Sequence, residues 1–100
     1  MRQFRLTTLA RSDLEEIRDY IAQDSSQAAE RLLDKLLGKC RFLAKLPLVG
    51  QPRDQIRPGL RCFPAGRYVI YYVPVEDGIA VVRVIHGARD VDAISFETDE

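Results

Sequence analysis

The chain has 100 residues, no net charge at neutral pH, 46% hydrophobic residues and 30% charged residues. This length and balance predict one compact domain over residues 1–100 and exclude a disordered chain. No apolar run of about 18 residues and no signal-like leader occurs, so we expect a cytoplasmic protein without a membrane role. Two cysteines without CxxC spacing and a single histidine favour reduced core thiols, no metal and no cofactor.

The first half of the chain predicts a strand and two helices. Residues 3–7 alternate polar and apolar side chains, and Thr7 or Thr8 can cap a helix. The apolar stripe of this first helix is Ala10, Leu14, Ile17 and Ile21. A second helix begins after residues 24–26 and ends before Pro47. The short link makes the two helices an antiparallel hairpin.

The second half predicts a meander of strands after a connector over residues 47–59. The predicted strands are residues 60–63, 67–73 and 79–86, with an Asp-Gly hairpin turn at residues 76–78. Beyond Gly87, Asp90 can cap one short helical turn. The order β-α-α-β-β-β predicts an α+β fold in which the helical hairpin packs on a small antiparallel sheet.

The last two predicted strands are apolar on both faces, although strands of a sheet with one solvent-exposed face should alternate apolar and polar residues. In the first, Val69, Tyr71 and Val73 face opposite to Tyr68, Ile70 and Tyr72. In the second, Ile79, Val81 and Ile85 face opposite to Ala80, Val82 and Val84. The helices cover one face only. We therefore expect the other face to be covered either by a partner chain, which is a different protein or a second copy of this one, or by the connector and the acidic C-terminal end.

Positive charge concentrates between Arg53 and Arg89, where six arginines and three acids give a net charge of +3. Five acids and no base follow from Asp90 onward, and all three lysines lie before this segment. Arginine makes planar, bidentate contacts with carboxylate or phosphate. The alternative is that the arginine stems only cover a solvated sheet face.

An ordered set of residues along the chain resembles a known family. The set is Leu6-Thr7, Ala10, Asp13-Leu14, Ile17, Tyr20-Ile21, Ala28, a leucine-rich helix, Pro47, Gly50 and Arg61. It continues with residues 66–72 (Gly-Arg-Tyr-Val-Ile-Tyr-Tyr) and ends with residues 83–90 (Arg-Val-Ile-His-Gly-Ala-Arg-Asp), its most specific part. From residue 4 to residue 91 the chain resembles the ParE branch of the RelE/ParE toxin superfamily.

The resemblance implies a toxin of a bacterial type II toxin–antitoxin system that inhibits DNA gyrase without chemistry of its own. It also implies neutralisation by a ParD-like antitoxin, a ribbon-helix-helix protein that is partly disordered when free, and higher-order toxin–antitoxin complexes. Candidate target contacts are Arg61, Arg67, Arg83, His86 and Arg89. Candidate antitoxin contacts are Leu14, Ile17, Ile21, Tyr68, Tyr71, Tyr72 and Val82.

RelE members of the same superfamily cleave messenger RNA on the ribosome, which is the alternative function. Such cleavage needs an acid, a base and cations for the phosphate, and the chain offers His86 with Arg61, Arg67 and Arg83. The middle strands lack lysine and glutamate and no tyrosine follows Tyr72, so this acid–base set is incomplete. We predict instead that His86 hydrogen-bonds within its turn. A third alternative is a toxin-derived binding module that has lost toxicity.

Overall fold

The computed structural model describes residues 2–96, in which two long helices pack on a five-stranded sheet. The elements are β1 (Gln3–Leu6), α1 (Thr8–Ala22), α2 (Ser26–Lys45), β2 (Gln51–Pro52), β3 (Arg61–Ala65), β4 (Tyr68–Val75), β5 (Gly78–His86) and a 3₁₀ turn (Val91–Ala93). The strand order is β1-β5-β4-β3-β2. The predicted α+β fold, with its helical hairpin on a sheet, is confirmed. Within the described range no helix is long and apolar enough to cross a membrane.

Both helices begin at the hydroxyl caps that the sequence indicates. Thr7 Oγ1 accepts a hydrogen bond from the Ala10 N–H, and Ser25 Oγ accepts one from the Ala28 N–H. Each bond satisfies a backbone donor that the first helical turn leaves free. The Thr7 hydroxyl also donates to the Val82 carbonyl at 3.1 Å. One side chain therefore starts α1 and ties it to β5.

The sheet is mixed, because β1 pairs with β5 in parallel while the other pairs are antiparallel. The predicted antiparallel meander is confirmed, and β1, for which no partner was predicted, adds the one parallel pairing. Gly78 permits the close approach of β1, since a Cβ there would collide with the backbone of Gln3. Its φ of 148° also lies where glycine is favoured. β1 pairs with β5 only as far as Val81, so the rest of that edge is open to α1.

A β-bulge in β5 changes which residues face the helices. The pairing of β5 with β4 skips Val82, which is the extra residue of the bulge. Beyond it the alternation is inverted, so Val84 faces the helices and Ile85 faces away from them. The predicted faces of these two residues are wrong, because strict alternation makes no allowance for an extra residue. The faces predicted for β4 are confirmed.

The helix-side core lies between the hairpin and the sheet. Its largest fully buried side chains include Leu36, Leu43, Ile70, Ile79, Val81 and Tyr72. The Tyr72 hydroxyl donates to the Pro47 carbonyl at 2.8 Å and accepts the Gly50 N–H at 2.9 Å. Burial raises the pKa of Tyr72, and the Gly50 hydrogen bond partly opposes this rise. The tyrosine thus fixes the start of the connector from inside the core.

The opposite face of the sheet carries a second apolar cluster, which we call the outer core. Its covering side chains are Ile56 and Leu60 of the connector and Val91, Ile94 and Phe96 of the C-terminal segment. The Phe96 ring meets the Tyr71 ring edge-on, with 4.8 Å between centroids. Of the two covers predicted for this face, the intramolecular one is present. The apolar surplus of the strands is therefore no argument for a partner.

The connector and the C-terminal segment show three further local features. The connector, predicted to lack regular structure, contributes β2, and β3 continues through Pro64 although the prediction ended it before that residue. β2 pairs only with Arg61 and Cys62, so Pro64 lies on an open edge where its missing N–H breaks no ladder bond. The predicted cap at Asp90 is confirmed, since its carboxylate accepts the Asp92 N–H at 3.0 Å.

Replacing Tyr72 with phenylalanine should lower the free energy of unfolding by about 1–3 kcal/mol, because the Gly50 N–H and the Pro47 carbonyl lose their partner. Urea denaturation measures this loss. The control is Tyr20→Phe, at a side chain that is 69% exposed, which should change stability by less than about 0.5 kcal/mol. Equal stability of the two variants would contradict a structural role for the Tyr72 hydroxyl.

Cys40 and Cys62 are free, buried thiols, as predicted. Cys40 lies in the helix-side core and Cys62 in the outer core, on opposite sides of the sheet. Burial raises the pKa of Cys40 to about 12, against a small opposing effect of Arg41, and burial also raises the pKa of Cys62. A raised pKa leaves less thiolate at neutral pH, and thiolate is the reactive form. A thiol reagent should therefore label neither cysteine in the native protein and both in guanidinium chloride. Rapid native labelling of either one would contradict the burial.

Candidate interaction groove

A buried ion pair joins α1 to the middle of β5. Asp13 Oδ1 accepts from Arg83 Nη2, and Asp13 Oδ2 accepts from Arg83 Nε, both at 2.7 Å. Asp13 Oδ2 also accepts the Val84 backbone N–H at 2.9 Å, on the edge of β5 that β1 leaves open. Only 12% of the Arg83 side chain and 8% of the Asp13 side chain are exposed. Such bidentate, charge-assisted contacts fix the position of α1 along β5.

The Arg83 guanidinium also reaches the C-terminal segment. Its Nη1 donates to the Ser95 carbonyl at 2.8 Å, and Arg57 Nη1 donates to the Phe96 carbonyl at 3.1 Å. Two arginines thus fasten the segment that covers the outer core. The hydrogen bond to Asp13 raises the pKa of Arg83, while desolvation opposes it. This guanidinium is engaged inside the protein and has a structural role, and the assignment of Arg83 to a target surface stays a prediction.

Arg61 is likewise engaged within the chain. Its Nη1 donates to the Leu48 carbonyl at 3.1 Å and to the Gly50 carbonyl at 2.7 Å. These bonds hold the start of the connector against β3, on the same stretch that Tyr72 fixes from the core. Arg61 therefore supports the fold, and its assignments as a target contact and as part of a phosphate-binding set stay predictions.

A groove of about 820 Å³ lies beside the Asp13–Arg83 pair, between the helical hairpin and the adjoining ends of β4 and β5. We call it the first groove. Its apolar wall is formed by Ile17, Ile21, Leu32 and Tyr68. The α1 side of its rim carries Glu16 and Tyr20, and the strand side carries Arg67, His86 and Arg89. Tyr20 is 69% exposed, so a large aromatic surface faces solvent at the rim.

Three of the five predicted target contacts meet at this rim, namely Arg67, His86 and Arg89. The Gly87 N–H donates to the Arg67 carbonyl at 2.8 Å, which holds the two strand ends together. Arg67 and Arg89 are both exposed. Among residues 2–96 no side-chain hydrogen bond or ion pair engages either guanidinium. As far as the described part of the chain is concerned, both cations are thus available to an external anion.

His86 occupies its turn as predicted. Its Nδ1 accepts the Ala88 N–H at 3.1 Å, and its ring meets the Tyr68 ring edge-on at 5.4 Å between centroids. The hydrogen bond directs Nδ1 into the turn and leaves Nε2 for other contacts. Of the four residues nominated for RNA cleavage, only His86 and Arg67 line the groove, because Arg61 and Arg83 are held elsewhere.

The predicted antitoxin contacts fall into two sets. Ile17, Ile21 and Tyr68 line the first groove and are partly accessible. The buried set is Leu14 and Tyr72 in the helix-side core and Tyr71 and Val82 in the outer core. The side chains of this second set pack within the chain, and their assignment as antitoxin contacts stays a prediction. Apolar character in the sequence identified them, but it could not show that the connector and the C-terminal segment cover Tyr71 and Val82 while Leu14 and Tyr72 are buried between the hairpin and the sheet.

The sequence interpretation did not single out Asp13, Glu16 or Leu32 as site residues. A signal for Asp13 was present, because it lies three residues after Ala10 and directly before Leu14, inside the apolar stripe of α1. A carboxylate at such a position needs a partner. Arg83 is the one charged residue between Ile79 and Ile85 and was the matching signal. Glu16 and Leu32 carry no comparable signal, since their role depends on where the hairpin meets the strand ends.

A solved structure has the same architecture. It is described as "Chromosomal ParDE TA system from P. aeruginosa", with a TM-score of 0.71 and 19% sequence identity. The superposition covers 86% of this chain and 96% of that one. At this identity the likeness concerns the fold. The protein therefore has the α+β fold class of that chain, as predicted.

Sequence comparison gives the family. Residues 4–91 match the family model described as "ParE toxin of type II toxin-antitoxin system, parDE". Toxin ParE1 of Mycobacterium tuberculosis is 39% identical over 93 residues, covering 90% of this chain and 94% of the relative. Toxin ParE1 of Caulobacter vibrioides is 30% identical over 95 residues, covering 93% and 97%. Toxin RelE2 of the same organism is 36% identical over 89 residues, covering 89% and 99%. The chain belongs to the ParE toxin family of type II toxin–antitoxin systems.

Breaking the buried ion pair should destabilise the protein strongly. Asp13→Ala should lower the free energy of unfolding by about 3–5 kcal/mol, because it leaves the Arg83 charge and the Val84 N–H unpaired. Arg83→Ala should have a similar effect, and the double variant should lose less than the sum of the two.

Urea denaturation of the single and double variants measures this coupling. The control is Asp19→Ala, whose contact with Arg18 is exposed and should contribute less than about 1 kcal/mol. Strictly additive losses at Asp13 and Arg83 would contradict a coupled pair.

Proposed function

We propose that this ParE-family protein inhibits DNA gyrase by binding rather than by catalysis, and that a ParD-like antitoxin neutralises it at the first groove. The observation that carries the proposal is a pair of guanidiniums, Arg67 and Arg89, on the rim of an apolar groove, which no other described residue engages. A stalling inhibitor needs a docking surface and no acid–base set. Free arginines beside exposed aromatic and aliphatic side chains are typical of such surfaces.

The chemistry of the rim suits an anionic target. Arg67 and Arg89 can each bind a carboxylate or a phosphate in bidentate fashion, and His86 adds a donor or acceptor at Nε2. A gyrase–DNA complex offers both kinds of anion, on protein and on DNA. The exposed ring of Tyr20 provides an apolar contact on the α1 side. Because the groove combines cations with apolar surface, its chemistry favours a target that is a protein–nucleic acid complex over a target that is nucleic acid alone.

The antitoxin would neutralise the protein because its binding surface overlaps the target-binding surface at the first groove. The partly accessible antitoxin candidates Ile17, Ile21 and Tyr68 form the wall below Arg67 and Arg89. An amphipathic antitoxin segment that buries this wall would also cover the guanidiniums. The toxin surface and the antitoxin surface would then be mutually exclusive. A segment that folds on binding suits such a groove, because its apolar face gains cover only in the complex.

Messenger RNA cleavage is the second candidate, and the similarity to Toxin RelE2 favours it. The side chains support it less well, since Arg61 donates to backbone carbonyls and Arg83 pairs with Asp13. A phosphate-binding set would have to be built from Arg67 and Arg89 alone. His86 could supply only one of the two proton-transfer roles.

Expression of the chain without antitoxin in a bacterial host tests the proposal. We expect growth arrest, an accumulation of DNA breaks linked to gyrase, and intact messenger RNA. Cuts at codon positions in messenger RNA together with normal DNA supercoiling would overturn gyrase inhibition in favour of RNA cleavage. Normal growth at a high level of soluble protein would instead indicate a binding module without toxicity.

The double variant Arg67→Ala/Arg89→Ala should lose growth inhibition while its stability changes by less than about 0.5 kcal/mol, because neither guanidinium has a partner among the described residues. Colony counts after induction and thermal melts measure the two quantities. The matched control Arg2→Ala/Arg11→Ala removes the same charge from exposed positions off the groove and should remain toxic. Undiminished toxicity of the groove variant would contradict the assigned surface.

A further inference from the structure

A cluster of exposed apolar side chains lies where α2 ends and the connector begins. Among residues 2–96, five large apolar side chains are exposed, and four of them are Phe42, Leu46, Leu48 and Val49. Their exposed fractions run from 40% at Phe42 to 69% at Leu48. We call these four residues the apolar cap. Exposed apolar residues are ordinarily scattered singly, so four of them within one short stretch mark a contact surface.

The chain holds the apolar cap in a fixed shape. Leu46 follows Phe42 by one helical turn, so the two residues are neighbours. The Val49 N–H donates to the Leu46 carbonyl at 3.1 Å, which closes a tight turn. Tyr72 and Arg61 contribute four hydrogen bonds to the backbone that carries the cap. A surface that is already held in one shape loses little conformational freedom when a partner binds it.

Positive charge flanks the apolar cap. From Lys35 to Arg53 the sequence contains five bases and no acid. Two of them, Arg41 and Lys45, are exposed, and each directly precedes a cap residue in the sequence. Within the described part of the chain no hydrogen bond or ion pair engages either side chain. A surface that complements the cap should therefore present carboxylates around an apolar centre.

The charge and the size of the cap disfavour a second copy of this chain as its partner. A twofold contact would bring the cations of both copies together, and residues 35–53 contain no acid to pair with them. Stable interfaces bury about 800 Å² on each partner, which is more than four partly exposed side chains supply. An anionic lipid surface is disfavoured because α2 already packs its apolar face on the sheet. The cap therefore suits one part of a larger contact with a different, acidic protein.

The first groove lies within reach of the same partner. Leu32 of the first groove and Leu46 of the cap are about 21 Å apart along the axis of α2. This separation is about four whole helical turns, so both residues lie on the same side of the helix. An interface of about 800 Å² is about 30 Å across. One target surface of ordinary size can therefore contact the first groove and the cap together.

We propose that the apolar cap is a second contact with the protein part of the gyrase target, on an acidic surface with an apolar centre. The cap side chains pack against that centre, and Arg41 and Lys45 pair with carboxylates around it. The cations of the first groove bind elsewhere on the same complex. This inference rests on the proposed gyrase inhibition and adds a second place at which the target protein is held.

Gyrase supercoiling of a relaxed plasmid, measured with the purified full chain, tests this contact. The variant Leu48→Ser/Val49→Ser should need about ten times more protein for half-inhibition. Its Tm should stay within about 3 °C of that of the wild type, because both side chains are exposed. The matched control Gln51→Ser/Gln55→Ser shortens two exposed polar side chains of the same connector and should inhibit within about twofold of the wild type.

The charge beside the cap is tested at Lys45. Lys45→Glu should also raise the half-inhibiting concentration about tenfold, because a carboxylate would then face the acidic target surface. Lys45→Arg keeps the positive charge and should inhibit like the wild type. Equal inhibition by Lys45→Glu and Lys45→Arg would overturn the acidic character of the partner.

The outcomes separate this inference from the proposed function. Undiminished inhibition by the folded variant Leu48→Ser/Val49→Ser would overturn the cap contact alone. If that variant also lost a dimer seen by light scattering, or binding to phosphatidylglycerol vesicles, the cap would belong to a second copy or to a lipid surface. An equal loss for Gln51→Ser/Gln55→Ser would also overturn the cap contact, since the apolar side chains would then not be decisive. Failure of the wild type itself to inhibit gyrase would overturn both the proposed function and this inference.

Discussion

The carboxylate of Asp13 accepts three hydrogen bonds, and the relative placement of helix, sheet and C-terminal segment depends on it. Two come from Arg83 and one from the backbone of Val84, on the edge of β5 that β1 does not reach. Without the carboxylate, a buried cation would lose its counter-ion and the Val84 N–H would be buried without a partner. Arg83 also donates to the Ser95 carbonyl. The Asp13–Arg83 pair therefore holds α1, β5 and the C-terminal segment that covers the outer core, and we call it the anchor. The first groove exists because this anchor holds α1 beside the strand ends.

The same constraint divides the arginines by role. Arg57, Arg61 and Arg83 donate to carbonyls or to Asp13 and thereby hold the connector and the C-terminal segment. Arg67 and Arg89 lie past the anchored region, where both strands end, and no side-chain contact within residues 2–96 engages their guanidiniums. Arginine suits both roles because its planar fork binds carbonyls and carboxylates with defined geometry. Charge that looks uniform along the sequence thus divides into arginines that stabilise the fold and arginines that we propose for recognition.

Sequence patterns predicted the elements well where local chemistry decides them. The Thr7 cap, the apolar stripe of α1 and the Asp90 cap depend on nearby residues and are present. The bulge at Val82 was not predictable, because alternation records no extra residue, and it reversed the faces of Val84 and Ile85. The site residues could be predicted only in part, because the sequence shows residue type but not which side chains distant segments bury. Their residue types indicated binding, whereas their burial depends on contacts between distant parts of the chain.

Gyrase supercoiling measured with purified proteins tests the central claim most directly, namely that free groove cations, and no catalytic set, carry the toxin's action. Wild-type protein should block supercoiling without any added ribosome or RNA. The folded variant Arg67→Ala/Arg89→Ala should leave supercoiling intact. Unimpaired gyrase in the presence of excess wild-type protein would contradict the account, as would equal inhibition by the wild type and the variant.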